Sequence, residues 1–197
     1  MSFIITIGRQ YGSGGRYIAR ELAKRLDIKF YDNEILAKAA EKSGLCLEYL
    51  KENDEKKDSI FAYVGIGNSN HLTASQKVSL AQFQAIRDIA DSNESCVIVG
   101  RCASYVLRDR DNIINVFINA PIEERIARAV NYYGLKPEKA QSVIHKMDKN
   151  RESYYSFFTD QKWGKAENYD LCINSQIGIQ ETVDIIVELL KKKIKDL

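Results

Sequence analysis

Apolar residues along this chain fall into two rhythms. Short β-branched runs at 3–7, 96–99, 113–118 and 171–173, with a weaker one at 28–31, alternate with stretches whose apolar positions recur every three or four residues. Val97-Ile98-Val99 and Val116-Phe117-Ile118 are apolar at consecutive positions, which suits strands covered on both faces. Strands alternating with helical stretches predict an α/β fold of three α/β/α layers around a five-stranded parallel sheet.

The helical stretches carry their own punctuation. Over 16–26, Ile18, Leu22 and Leu26 share one face. Asp32 stands where an N-cap belongs, ahead of a helix over 34–42. Thr73-Ala74-Ser75-Gln76 has the form of a capping box, and Val78, Ala81, Ala85, Ile86 and Ile89 form an apolar stripe behind it. Pro121 predicts the first helical position before 122–133, Gly134 the end of that helix, and Pro137 the start of a long polar one reaching about Trp163. A last helix near 179–194 turns Val183, Ile186, Val187 and Leu190 inward. Two stretches depart from sheet-packing helices: about 44–72 is polar and is expected as an insert over a pocket, and about 131–165, rich in Lys, Arg and Tyr, as a lid. An ordinary solvated pair of helices is the alternative for each.

Composition narrows the class. A chain of 197 residues is long enough for one domain with its own core, expected here over 1–43, 73–130 and 166–197. The net charge of +2 speaks against a broad nucleic-acid surface and leaves room for a locally basic cleft. Cys46, Cys96, Cys102 and Cys172 show no C-x-x-C pairing and are expected as reduced thiols of a cytoplasmic protein. The first residues read as a strand, so no secretory leader is expected, and no run of about 18 apolar residues predicts a membrane span. His71 and His145 lack the spacing of a metal site.

The chemistry concentrates after the first strand. Phe3-Ile4-Ile5-Thr6-Ile7 runs into Gly8-Arg9-Gln10-Tyr11-Gly12-Ser13-Gly14-Gly15-Arg16, and a helix follows at once. Glycines between a strand and a helix turn backbone amides toward one point, and the helix N-terminus adds positive partial charge, so Gly12, Ser13, Gly14 and Gly15 predict a phosphate cradle. A phosphate loop reads G-x-x-x-x-G-K-[ST]; this one closes on Gly14-Gly15-Arg16-Tyr17 instead. Arg16 is the nearest substitute for the lysine charge, and the Tyr17 hydroxyl is too remote to replace a short Ser or Thr. Ser13 or Asp32 is then the candidate for magnesium. Asp32 follows the second strand and can orient an acceptor as well as cap a helix. Arg101, after the third strand, can grip a substrate phosphate, whereas Val99 and Gly100 stand where an acidic strand end would be. Arg125, Arg128, Lys146, Lys149 and Arg151 flank Gly134, and Arg128 with Arg151 is the preferred pair to close on phosphates.

Several phrases, in order, resemble the cytidylate-kinase-like family of the nucleoside monophosphate kinase fold, within the P-loop NTPases. They are Ile5-Thr6-Ile7 through Arg16, Phe30-Tyr31-Asp32, Val97 through Arg101, Ala120 to Arg128, Asp148-Lys149-Asn150-Arg151 with Tyr154-Tyr155, and Asn168 through Asn174. The resemblance implies ATP with Mg2+ as phosphoryl donor, held by Gly12, Ser13, Gly14, Gly15, Arg16 and Tyr17, with Asn174 beside the donor base. It implies that Asp32 and Arg101 face an acceptor monophosphate, CMP-like or a similar small molecule. Arg16, Asp32, Arg128 and Arg151 then form the catalytic set. The likeness breaks where cytidylate kinases carry lysine, a small hydroxyl residue and Asp-Gly-Arg-Asp. Two expectations follow: an ATP-dependent phosphotransferase working on small nucleotides, or a non-catalytic nucleotide-binding module derived from one.

Overall fold

The apolar runs become five strands: β1 (Ile4–Arg9), β2 (Lys29–Tyr31), β3 (Cys96–Val99), β4 (Ile113–Asn119) and β5 (Leu171–Asn174). They form one sheet in the order β2-β3-β1-β4-β5, every neighbouring pair parallel. This computed structural model describes residues 2–32, Ile35, Lys38 and 73–194. β1 lies at the centre, with Ile5 level with Val97 on one side and Ile114 on the other. Helices α1 (Gly15–Arg25), α2 (Ala74–Asp91), α3 (Ala103–Val106), α4 (Ile122–Tyr133), α5 (Pro137–Thr159) and α6 (Ile179–Lys193) cover the sheet.

Side-chain alternation along the strands feeds two cores. Ile5, Ile7, Val97, Val99, Ile114 and Val116 pack on one face with Ile18 and Leu22 of α1 and Val183, Ile186 and Leu190 of α6. Ile4, Cys96, Ile98 and Ile113 pack on the other with Phe83, Ile86 and Ile89 of α2, Val106 of α3 and Tyr155 of α5. The helices after β1 and β3 thus leave toward opposite faces. In an open parallel sheet this makes a crevice beyond the carboxyl ends of those strands.

The predicted caps are largely present. Thr73 accepts from the Gln76 amide (3.2 Å) while the Gln76 side chain accepts from the Thr73 amide (2.8 Å). Gly134 closes α4 with φ 67°, and Pro137 is the first residue of α5. Two boundaries differ from the sequence pattern. Pro121 is the N-cap of α4, its ψ of 149° holding it outside the helix. α5 stops at Thr159, because Asp160 turns left-handed (φ 54°) and returns Trp163 to the sheet, edge-on to Phe117 at 5.3 Å between ring centres. The one-turn α3 was not foreseen. Most of the helix expected over 34–42, which Asp32 is expected to cap, and the insert at about 44–72 lie outside the described residues. No helix among the described residues is long and apolar enough to cross a membrane.

Candidate functional site

The glycine loop between β1 and α1 is built to leave its amides outward. Gly14 is the N-cap of α1, with φ 80°, and it caps with no side chain, so the first-turn N–H groups have no side-chain acceptor. Anions bind such helix starts through those N–H groups and the helix dipole. Gly12 also has φ 78°, and a β-carbon there would lie 2.7 Å from the Arg125 carbonyl oxygen, so no other residue fits.

The loop is held from within and by three elements behind it. The Ser13 hydroxyl donates to the Gln10 carbonyl (2.9 Å), and the Ser175 hydroxyl, just past β5, donates to the Ser13 carbonyl (2.5 Å). Arg125 of α4 is buried, donates from Nε to the Tyr11 carbonyl (2.8 Å) and pairs with Asp148 of α5. Asp148 in turn accepts from the Tyr11 amide (2.7 Å). Arg128 donates to the Gly12 carbonyl (3.0 Å) and Arg151 to the Arg9 carbonyl (3.1 Å). Residues from the expected lid therefore grip the loop directly.

In front of the loop opens a cleft of about 520 Å³. Gly12, Gly14, Gly15, Arg16, Tyr17, Asp32, Arg101 and Arg151 line it, so the structure brings most of the expected residues together. Arg16 is paired, its Nε 2.7 Å from Asp32 Oδ2 across the cleft. Tyr17 lies nearly parallel to Tyr133 at 6.4 Å, and Tyr11 meets Tyr133 edge-on at 5.5 Å. Burial, and then Tyr17 and Tyr11 beside it, push the Tyr133 hydroxyl up, so Tyr133 is neutral at pH 7.

Other expected residues stand elsewhere. Ser13, a magnesium candidate in the sequence, is buried, donates its hydroxyl to the Gln10 carbonyl and does not line the cleft. Arg125 is a buried support of the loop rather than a cation facing the cleft. Arg128 lies behind Gly14, its Nε 3.5 Å from where a β-carbon would be. Asn174 uses its side-chain oxygen to accept from the Gln176 amide (3.0 Å), capping the turn after β5 away from the cleft lining.

Sequence reading missed Arg9, Tyr11 and the strained turn after β3. Gly100, Arg101 and Cys102 are all left-handed, with φ of 77°, 57° and 54°. Two non-glycine residues held there cost roughly 1–3 kcal/mol each. That turn delivers Arg101 into the main cleft and into an adjoining hollow of about 40 Å³ between β1, β3 and Tyr155. Arg9 lines both spaces.

Comparison with known proteins bears on the family and the fold. A cytidylate kinase of Thermococcus kodakarensis is 27% identical over 174 residues, covering 87% of this chain and 79% of that protein. A crystal structure of an uncharacterised protein from Eubacterium ventriosum superposes with a TM-score of 0.74 at 29% identity, covering 96% of this chain and 99% of that one. A shikimate kinase from Acinetobacter baumannii, solved with shikimate, shares the fold at a TM-score of 0.56 and 16% identity, over 98% of this chain and 95% of that one. The sequence model of the cytidylate kinase-like family matches residues 4–177, and the chain belongs to that family.

Proposed function

We propose that this protein is an ATP-dependent phosphotransferase that moves the γ-phosphoryl to a nucleoside monophosphate or a similar small acceptor. The carrying observation is the uncapped glycine loop, opening onto a cleft that Arg9, Arg16, Arg101 and Arg151 also line. Phosphoryl transfer is mainly positioning and charge neutralisation, and a crevice of this make can supply both. In this reading the amides of Gly12 to Gly15 hold the donor phosphates. Arg128 and Arg151, fixed on loop carbonyls, place positive charge beside them. Asp32, oriented by Arg16, and Arg101 face the acceptor. The tyrosine wall offers a ring a surface to stack on. Residues 131–165 are the donor-side cover, in a protein of the reducing cytoplasm.

The site fits ATP's phosphates better than it fits a metal. Among the described residues no three His, Cys, Asp or Glu side chains come together, the Ser13 side chain is buried away from the cleft lining, and Asp32 is paired with Arg16. Magnesium entering on the nucleotide would screen phosphate charge. One observation favours the non-catalytic reading: the Arg16 Nε is held by Asp32, so the cation next to the loop is partly neutralised.

The test is ADP release from ATP with magnesium across nucleoside monophosphates, nucleosides and small alcohols. One acceptor should raise ADP release well above ATP alone. If ATP raises the thermal midpoint and no acceptor gives turnover, the protein is the binding module. If neither occurs, the loop does not serve ATP.

A further inference from the structure

The pattern G-x-x-x-x-G-K-[ST] carries its own register. With Gly14 as its second glycine, the first-glycine position is Arg9, the lysine position is Gly15 and the hydroxyl position is Arg16. Glycine and cation have exchanged ends of the loop. The structure makes that exchange a matched pair. A β-carbon at Gly15 would lie 2.6 Å from Arg9 Cβ and 3.1 Å from Arg9 Cγ, with Ile118 Cβ at an ordinary 3.4 Å. The obstacle is the root of the arginine side chain, which cannot swing aside, so arginine at position 9 requires glycine at position 15.

From there the Arg9 side chain runs across the crevice to the end of β3. Its Nη1 lies 2.1 Å from where a β-carbon of Gly100 would be. Val99 and Gly100 stand where the strand end of a phosphate-loop kinase carries an acidic residue. A guanidinium therefore lies against a strand end that carries no carboxylate. Arg9 lines the main cleft and the hollow beside it, and its backbone is held by Arg151 at 3.1 Å. Arg16 sits at the hydroxyl position, with its Nε 2.7 Å from Asp32 Oδ2.

We infer that Arg9 supplies to the donor's terminal phosphates the charge that the loop lysine supplies elsewhere. The cation comes from the end of β1 rather than the start of α1. Guanidinium stays charged at every working pH and can meet two phosphate oxygens at once, so the substitution changes the geometry of the contact while keeping its sign. This inference rests on the reading of the loop as an ATP site.

Titration of ATP with magnesium, and of inorganic pyrophosphate alone, into wild type, Arg9→Gln, Arg9→Gly, Gly15→Lys and the double variant Arg9→Gly/Gly15→Lys tests it. Thermal unfolding of each variant reports whether it is folded. Arg9→Gln should weaken both ligands roughly 10- to 100-fold, the range for a lost charged hydrogen bond. Gly15→Lys alone should bind poorly, because its β-carbon collides with Arg9. The double variant should bind better than Arg9→Gly, since the new lysine then meets only Ile118 at 3.4 Å. Affinity of Arg9→Gln within twofold of wild type overturns the inference and leaves the ATP site standing. So does a double variant no better than Arg9→Gly, which decides the matter even where Arg9→Gln fails to fold. A wild type that binds neither ligand overturns the ATP reading and this inference together.

Discussion

Removing Asp148 should loosen the loop and destabilise the domain by an amount the structure allows to be worked out. The Asp148 side chain is 16% exposed and its partner Arg125 7% exposed, so little water reaches the pair. Asp148→Ala leaves the Arg125 guanidinium buried with one remaining contact, Nε to the Tyr11 carbonyl at 2.8 Å, and deprives the Tyr11 amide of its 2.7 Å acceptor. Breaking a buried pair from one side costs about 3–5 kcal/mol. For a chain of 197 residues that is a fall of roughly 6–20 °C in thermal midpoint. Asp148→Asn retains an acceptor for the Tyr11 amide and loses only the charge, so it should cost less, about 1–3 kcal/mol. The assay is equilibrium urea unfolding followed by the fluorescence of Trp163, the one tryptophan of the chain. A loss below about 1 kcal/mol for Asp148→Ala, the size of an exposed pair, would refute the claim that α4 and α5 clamp the loop.

Three further outcomes follow from the structure. Gly12→Ala and Gly134→Ala both force alanine to positive φ (78° and 67°), but nothing lies within 4 Å of a β-carbon at 134, while at 12 it meets the Arg125 carbonyl oxygen at 2.7 Å. Gly134→Ala should cost about 1 kcal/mol and Gly12→Ala roughly 3 kcal/mol or more, measured by urea unfolding; equal losses would contradict the close approach. The buried Cys96 thiol is pushed up from 9.0 to about 12, chiefly by burial and next by Glu94. Its folded value lies above its unfolded one, so its contribution to stability is intact below about pH 9 and is lost as the pH rises toward 12. Cys96→Ala should therefore flatten the alkaline fall of the thermal midpoint, and an unchanged pH profile would contradict this. In the folded protein at pH 8 a thiol reagent should reach exposed Cys172 well before buried Cys96 and Cys102, as mass mapping of the labelled cysteines would report.

The strands were legible because burial on both faces writes itself into consecutive β-branched residues, as at Val97-Ile98-Val99. The loop was legible for a related reason, since Gly12 and Gly14 are conformational necessities that no other residue meets cheaply. Charge placement was not. Arg16 is next to the last loop glycine in sequence, yet its guanidinium is drawn to Asp32, a contact between separate elements. Arg9 looks like the end of a strand, and counting back from Gly14 was the signal that could have found it. The clamp was hidden as well, because Tyr11 and Asp148 are 137 residues apart and only packing of α5 on the sheet brings them together. Trp163 reads as a continuation of an aromatic helix until its ring meets Phe117.

The central claim is that the amides of the glycine loop hold a polyphosphate. Nitrogen-15 resonance of the loop glycines during titration with ATP and magnesium addresses it most directly. The account predicts that the Gly12, Gly14 and Gly15 amides move further downfield than any others, that inorganic pyrophosphate moves the same three, and that AMP does so weakly. Saturable ATP shifts elsewhere, with those three unmoved, would contradict it.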